Sequence, residues 1–235
     1  MGLIDFAILA VFALFLLSGF HKGFIWNLAA LGASLAALVL AYFFMGGVAR
    51  AVVNNGTLYD AMLNYTEGAE YIYDRELVDR EVTSLTNDEI DEIMERSNLP
   101  FPLRDRVYEN INDESFRDAG ITTLGDYFNE SMVLTAINII SFLFVYFAAR
   151  VLLTFIICWL DYSLKFPRLR IGDSVVGSAI GLVRGVIDVT VLFMVVPIVL
   201  VVLPFDAIEE LITASKIANF LHRSNVFLKL IPGTL

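Results

Sequence analysis

The chain has 235 residues, 57% of them hydrophobic and 18% charged, with a mean hydropathy of +0.71. A soluble domain does not carry that share of apolar residues, and here they gather into long runs rather than recurring at core spacing. The formal charge of −10 is also uneven. Residues 46–130 hold 19 Asp and Glu against 7 Arg and no Lys, while the rest of the chain sums to +2. Such a pattern predicts a weakly basic membrane body carrying an acidic insert. The single cysteine, Cys158, excludes an internal disulfide and a thiolate metal cluster.

The first apolar run, Ile4 to Phe20, has 17 residues and reaches roughly 25 Å as a helix, enough to cross a bilayer. Asp5 stands where a signal peptide needs basic residues, and no small-residue cleavage pattern follows, so the run reads as a span. A second run, Gly23 to Phe44, begins after only His21 and Lys22, which predicts a hairpin turning on Gly19 and Gly23. The third run starts near Met132; Arg150 divides it into a span, Met132 to Ala149, and an interfacial continuation, Val151 to Leu160. The fourth, Val175 to Leu203, contains Arg184, Asp188 and Pro197.

Between spans two and three the acidic insert carries helix signals. Thr86 followed by Glu89 is a capping-box pattern, and Ile90, Ile93 and Met94 form a helical stripe ahead of Pro100 and Pro102. Tyr71, Ile72, Leu77, Val78 and Val82 predict a second helix, and Leu103, Val107 and Ile111 a third. After Pro204, Ile208, Leu211, Ile212 and Leu221 share one helical face, which fits either a helix on the membrane surface or a core helix packed on the cap. The expected fold is all-α: an integral membrane protein with four transmembrane helices and an inserted acidic helical extramembrane cap. Its segments are 1–45 (helices one and two), 46–130 (the insert), 131–204 (helices three and four) and 205–235 (an amphipathic tail).

Lys22, together with Lys165, Arg168 and Arg170, predicts that the two short loops after spans one and three are cytoplasmic. Both termini and the insert are then external, with Arg50, Lys216, Arg223 and Lys229 diluting the bias.

Gly177, Gly181 and Gly185 recur every four residues and line one face of span four, where another backbone can approach closely. Ala29, Ala33, Ala37 and Ala41 form a similar seam on span two and are the candidate partner surface, within one chain or between copies. Arg184 and Asp188, four apart, share a face of span four. Two readings stand: a polar site lining a conduit, or a structural pair pinned against Asp5 or Arg150. A central charge costs about 2.5 to 3.5 kcal/mol on insertion scales, which one good partner offsets. Asp5 itself is expected near the interface, capping its helix.

Catalytic signatures do not accompany these features. The two histidines, His21 and His222, belong to no H-E-x-x-H or Cys/His cluster, and neither a G-x-S-x-G elbow nor a phosphate-binding G-x-x-x-x-G-K-[ST] occurs. The carboxylates of the insert match no EF-hand loop, and their charge opposes nucleic acid. The expectation is no enzyme activity and no cofactor. The expected partners are the lipid bilayer and either another copy or another membrane protein.

Asp5 opening a short span, with Gly19-Phe20-His21-Lys22-Gly23-Phe24 at the hairpin, resembles the start of the CvpA (colicin V production protein) family. Asp173, Gly177, Gly181, Arg184 and Gly185, spaced D-x-x-x-G-x-x-x-G-x-x-R-G, resemble that family's second hallmark. The resemblance covers the four spans and not the insert, which is longer than the usual family loop. Where the family pattern continues with a charged pair, this chain has Trp26 and Asn27. It implies a bacterial inner-membrane protein linked to toxin production or export and to envelope homeostasis, with no established chemical reaction.

Overall fold

The computed structural model describes residues 2–164, 172–202 and 206–235, with side chains described except at 202 and 206–209. In chain order the helices are α1 (Leu3–Lys22), α2 (Phe24–Val53), α3 (Gly56–Tyr65), α4 (Arg75–Val78), α5 (Asn87–Arg96) and α6 (Leu103–Asn112). They continue with α7 (Leu124–Leu164), α8 (Asp173–Leu192), α9 (Val196–Val202), α10 (Asp206–Ala214) and α11 (Lys216–Arg223). No strand forms among the described residues; a single bridge joins Glu81 to Thr123.

Four stretches are long and apolar enough to cross a membrane: α1, α2, α7, and α8 with its continuation to Val201. Their side chains match that solvent. Leu14, Leu17 and Phe20 of α1 are each more than half exposed, as are Phe144, Val151 and Phe155 of α7. In water so much contiguous apolar surface would drive association, whereas acyl chains cover it at no cost. The protein is an all-α membrane protein.

Two spans differ from their expected form. Helix α7 runs for 41 residues with no break at Arg150. Inside the structure the guanidinium meets Thr154 Oγ1 at 3.1 Å and Asp188 Oδ2 at 3.5 Å. The fourth span does break: after Leu192 the chain tightens into a 3-10 turn at Phe193–Val195 and restarts as α9. Pro197 lies in the first turn of α9, where its missing N–H is tolerated; inside a continuous helix that donor would be lost and the ring would clash with the preceding turn.

By contacts the chain divides into two compact units: Met1–Met45, Ser141–Met194 and Asp206–Asn225 form the first, and Gly46–Ile140, Val195–Phe205 and Val226–Leu235 the second. In the second, Ile90, Ile93 and Met94 of α5 meet Leu103, Val107 and Ile111 of α6 in one buried cluster with Leu124 and Phe128 of α7. Each of these side chains contributes roughly 1.5–3 kcal/mol by leaving water. The Leu103, Val107 and Ile111 spacing is thus the buried face of α6. The stretch from Tyr71 to Val82 is not the single helix its periodicity predicts. It forms 3-10 turns at Gly68–Tyr71 and Val82–Ser84 with α4 between them, because the Asp74 carboxylate accepts from the Glu76 N–H (3.0 Å) and starts a new helix there.

The tail is not one amphipathic helix either. Ser215 separates α10 from α11, and the last ten residues belong to the second unit, where Leu228 and Ile231 are fully buried. Of the face expected there, Ile212 and Leu221 are buried and Leu211 is exposed, while the Ile208 side chain and Pro204 lie outside the described residues. Helix α11 packs within the first unit. Its Ala218 and Leu221 sit against Ile8 of α1 and Val189 of α8.

The capping box at α5 is formed as expected: the Glu89 N–H donates to Thr86 Oγ1 and the Thr86 N–H donates to the Glu89 carboxylate at 2.8 Å. The Thr86 backbone hydrogen bond, then those from Arg80 and the Thr86 hydroxyl, hold the Glu89 carboxyl down to about 2. Thr86→Ala should lower the stability of this helix start by about 1 kcal/mol, read as faster amide exchange in α5. Because the folded pKa lies below its ordinary 4.5, the Glu89 contribution is complete above that value. It should disappear as pH falls from about 4.5 toward 2, and Glu89→Gln should flatten that dependence.

Candidate functional site

The first unit is organised around the joint between α1 and α8. Gly23 ends α1 with φ +79°, a conformation glycine adopts without strain, and its N–H returns to the Gly19 carbonyl (3.1 Å). The chain then re-enters a helix at once, and the first free donor of α2, the Phe24 N–H, is taken by Asp173 Oδ1 at 2.9 Å. Asn27 donates to the Gly19 and Gly23 carbonyls at 3.1 and 2.6 Å. The turn is therefore held from both sides, by Asn27 of α2 and by Asp173 of α8.

Below this turn the glycines of α8 lie on α1. A Cβ added at Gly177 would stand 2.6 Å from the Gly19 carbonyl oxygen and 2.8 Å from the Gly23 carbonyl carbon. At Gly181 it would stand 2.6 Å from the Phe15 carbonyl oxygen, and at Gly185 2.7 Å from the Phe15 ring. At Gly19 it would strike the Gly177 carbonyl. The glycine seam thus meets α1 and not the alanine seam of α2, because only α1 offers a facing glycine that lets the two backbones touch. The alanine seam packs elsewhere. Ala30 and Ala33 lie with Trp26 against Ile157 of α7, Ala37 and Ala41 are fully buried, and Ala29 is half-buried at the edge of that cluster.

The charged residues form a second feature. Asp188 is the hub: Tyr146 donates to its Oδ1 at 2.6 Å and Ser34 to the same oxygen at 3.1 Å. Arg150 Nη2 lies 3.5 Å and Arg184 Nε 3.9 Å from Oδ2. The Arg184 guanidinium is 4.9 Å from the Phe15 ring centroid and 5.6 Å from that of Trp26, and Lys22 Nζ lies 3.5 Å over the Trp26 ring. Cation–π attraction of this kind is strongest where water is scarce.

The expected pair of Arg184 and Asp188 is thus an edge of a larger group in which Arg150 holds the closer position. Asp5 does not join it. Fully buried, it accepts from the Gly2, Lys216 and Ile217 N–H groups at 2.9, 3.1 and 2.8 Å, closing the starts of α1 and α11 together. Asp5 is thus buried within the protein and caps two helices, its own and α11. Tyr146, Ser34 and Phe15 belong to no motif in the sequence, and Trp26 and Asn27 stand out there only as a departure from the family pattern. Tyr146 lies four residues before Arg150 on α7, and Trp26 and Ser34 lie four residues to either side of Ala30 on α2.

In the second unit, Tyr59 of α3 donates to the Glu130 carboxylate, and burial, then Glu130 itself, push its hydroxyl well above the ordinary range. The same unit holds an apolar cavity of about 340 Å³ lined by Leu58, Met62, Leu103, Met132, Ile140 and Val201. On α11, His222 is buried, and desolvation pushes its imidazole below the ordinary value.

No protein-family model matches the chain, and neither a curated protein nor a solved structure does.

Proposed function

We propose that the protein is a CvpA-like accessory or scaffold of the bacterial inner membrane, supporting toxin (colicin V type) production or export and envelope homeostasis through assembly rather than catalysis. One observation carries this reading. The two stretches that resemble the family, Gly19 to Phe24 and Asp173 to Gly185, lie 149 residues apart at their hydrogen bond and yet form a single joint. Residues used in that way do packing work: their glycines give up side chains so that backbones touch, and their aspartate ends on a helix N–H. Its partners are the bilayer and either another copy or a second membrane protein, which crosslinking in native membranes followed by identification of the captured chains tests. Capture of a reproducible partner supports the scaffold; a chain recovered alone, with solute flux in vesicles, supports a small-solute channel instead.

The orientation belongs to the same proposal. Lys165, Arg168 and Arg170, which carry the charge bias, lie outside the described residues. With the exposed Cys158 replaced by alanine, a membrane-impermeant thiol reagent applied to intact cells should label a cysteine placed at Asn87 and spare one at Ser163. The opposite labelling reverses the topology and puts the insert in the cytoplasm.

A further inference from the structure

We propose that Arg150 and Arg184 bind a small soluble monovalent anion, of halide or carboxylate chemistry, within the first unit. Three observations carry this. The first is charge balance. Asp188 is the one carboxylate within ion-pairing distance of either guanidinium among the described residues, so two positive groups share one negative. The other acidic side chains of the two motifs are committed elsewhere, Asp5 to the starts of α1 and α11 and Asp173 to the Phe24 N–H. An unbalanced positive charge inside a membrane is expensive, and an anion relieves it.

The second is geometry. Charge-assisted contacts between guanidinium and carboxylate settle near 2.7–2.9 Å. At 3.5 and 3.9 Å both arginines stand back from Asp188, whose Oδ1 is already taken by Tyr146 and Ser34. Arg184 is 8% exposed, and among the described residues the Nε atoms of both arginines are buried without a hydrogen-bond acceptor. The Phe15 and Trp26 rings neighbour Arg184 without supplying one.

The third is depth, which selects the kind of anion. Arg184 lies eleven residues beyond Asp173, about 16 Å along the helix axis and so near the middle of a hydrocarbon core of about 30 Å. A phosphate fixed to a lipid headgroup belongs at the surface of that layer. A small free ion carries no such tether, and the Asp188 side chain of the same group is 21% exposed rather than sealed.

The test uses the full chain in nanodiscs of zwitterionic lipid, with chloride or acetate replacing gluconate at constant ionic strength. Thermal unfolding should show a saturable rise in Tm with chloride or acetate. Emission from Trp26, read in a Trp159→Phe background, should change with the same midpoint. Arg184→Gln restores a one-to-one charge balance and should abolish both responses. Asp188→Asn raises the excess charge and should lower the apparent Kd at least tenfold, so each variant decides the question if the other fails to fold. A wild-type protein with no saturable response, a response retained in Arg184→Gln, or a weakened one in Asp188→Asn overturns the proposal. Stabilisation by anionic-lipid nanodiscs alone, with no effect of free anion, also overturns it. The result is independent of the scaffold reading, since neither assay involves a partner.

Discussion

Gly177→Ala should be among the most damaging single substitutions in the chain, although it adds one methyl group. The added carbon would lie within 3 Å of backbone atoms of both Gly19 and Gly23, and backbone at a helix end held by the Phe24–Asp173 hydrogen bond cannot rotate aside as a side chain can. Relief requires α1 and α8 to separate along their whole contact, which releases the packing of Gly181 and Gly185 on Phe15 as well. Overpacking of a rigid site costs typically 1–3 kcal/mol, and this one should reach about 2 kcal/mol or more. Gly181→Leu should be at least as severe and should exceed Leu182→Ala, whose side chain is only partly buried. Gly32→Ala is the control, because nothing lies within 4 Å of a Cβ there, and it should be neutral. Unfolding in a detergent series measures all four. If Gly177→Ala proves as mild as Gly32→Ala, the close backbone contact does not exist in the membrane.

Removal of Asp188 should be the most damaging change among the charged residues, and removal of Arg184 the mildest. Asp188→Leu leaves two guanidinium groups without a carboxylate and takes the acceptor from Tyr146 and Ser34. Breaking a buried ionic group in this way costs about 3–5 kcal/mol. Arg184→Leu leaves Arg150 and Asp188 as a neutral pair, with loss of contact to Phe15 and Trp26 as its main penalty. The double change strands Arg150 and should therefore recover only part of the loss, whereas an isolated two-residue pair would recover most of it. Abundance of folded protein for the two single variants and the double ranks them. In a deletion strain, envelope phenotype measured alongside abundance separates a structural role from a functional one, since a functional group fails at normal abundance. Equal damage from Arg184→Leu and Asp188→Leu would mean that Arg150 does not share the carboxylate.

The membrane class and the four spans were legible in the sequence because hydropathy acts locally: a run of about twenty apolar residues needs lipid whatever surrounds it. The α5 capping box was legible for the same reason, since Thr86 and Glu89 satisfy each other within three residues. So was the buried face of α6. Tertiary structure decided what each of these surfaces meets. Spacing alone marked the glycines of α8 and the alanines of α2 as two seams of small residues. The facing Gly19 and the fit of Asp173 to the Phe24 N–H join the first seam to α1. Likewise a four-residue interval brings Arg184 and Asp188 to one helix face, but Arg150, 38 positions from Asp188, takes the closer place because α7 presents it with Tyr146 toward the same carboxylate. The burial of Asp5 against α11 joins positions more than 200 residues apart, and no pattern within either helix encodes it. Periodicity determines which face of a helix is special; the partner is chosen by steric and hydrogen-bond complementarity between distant segments, which exists only once they are packed.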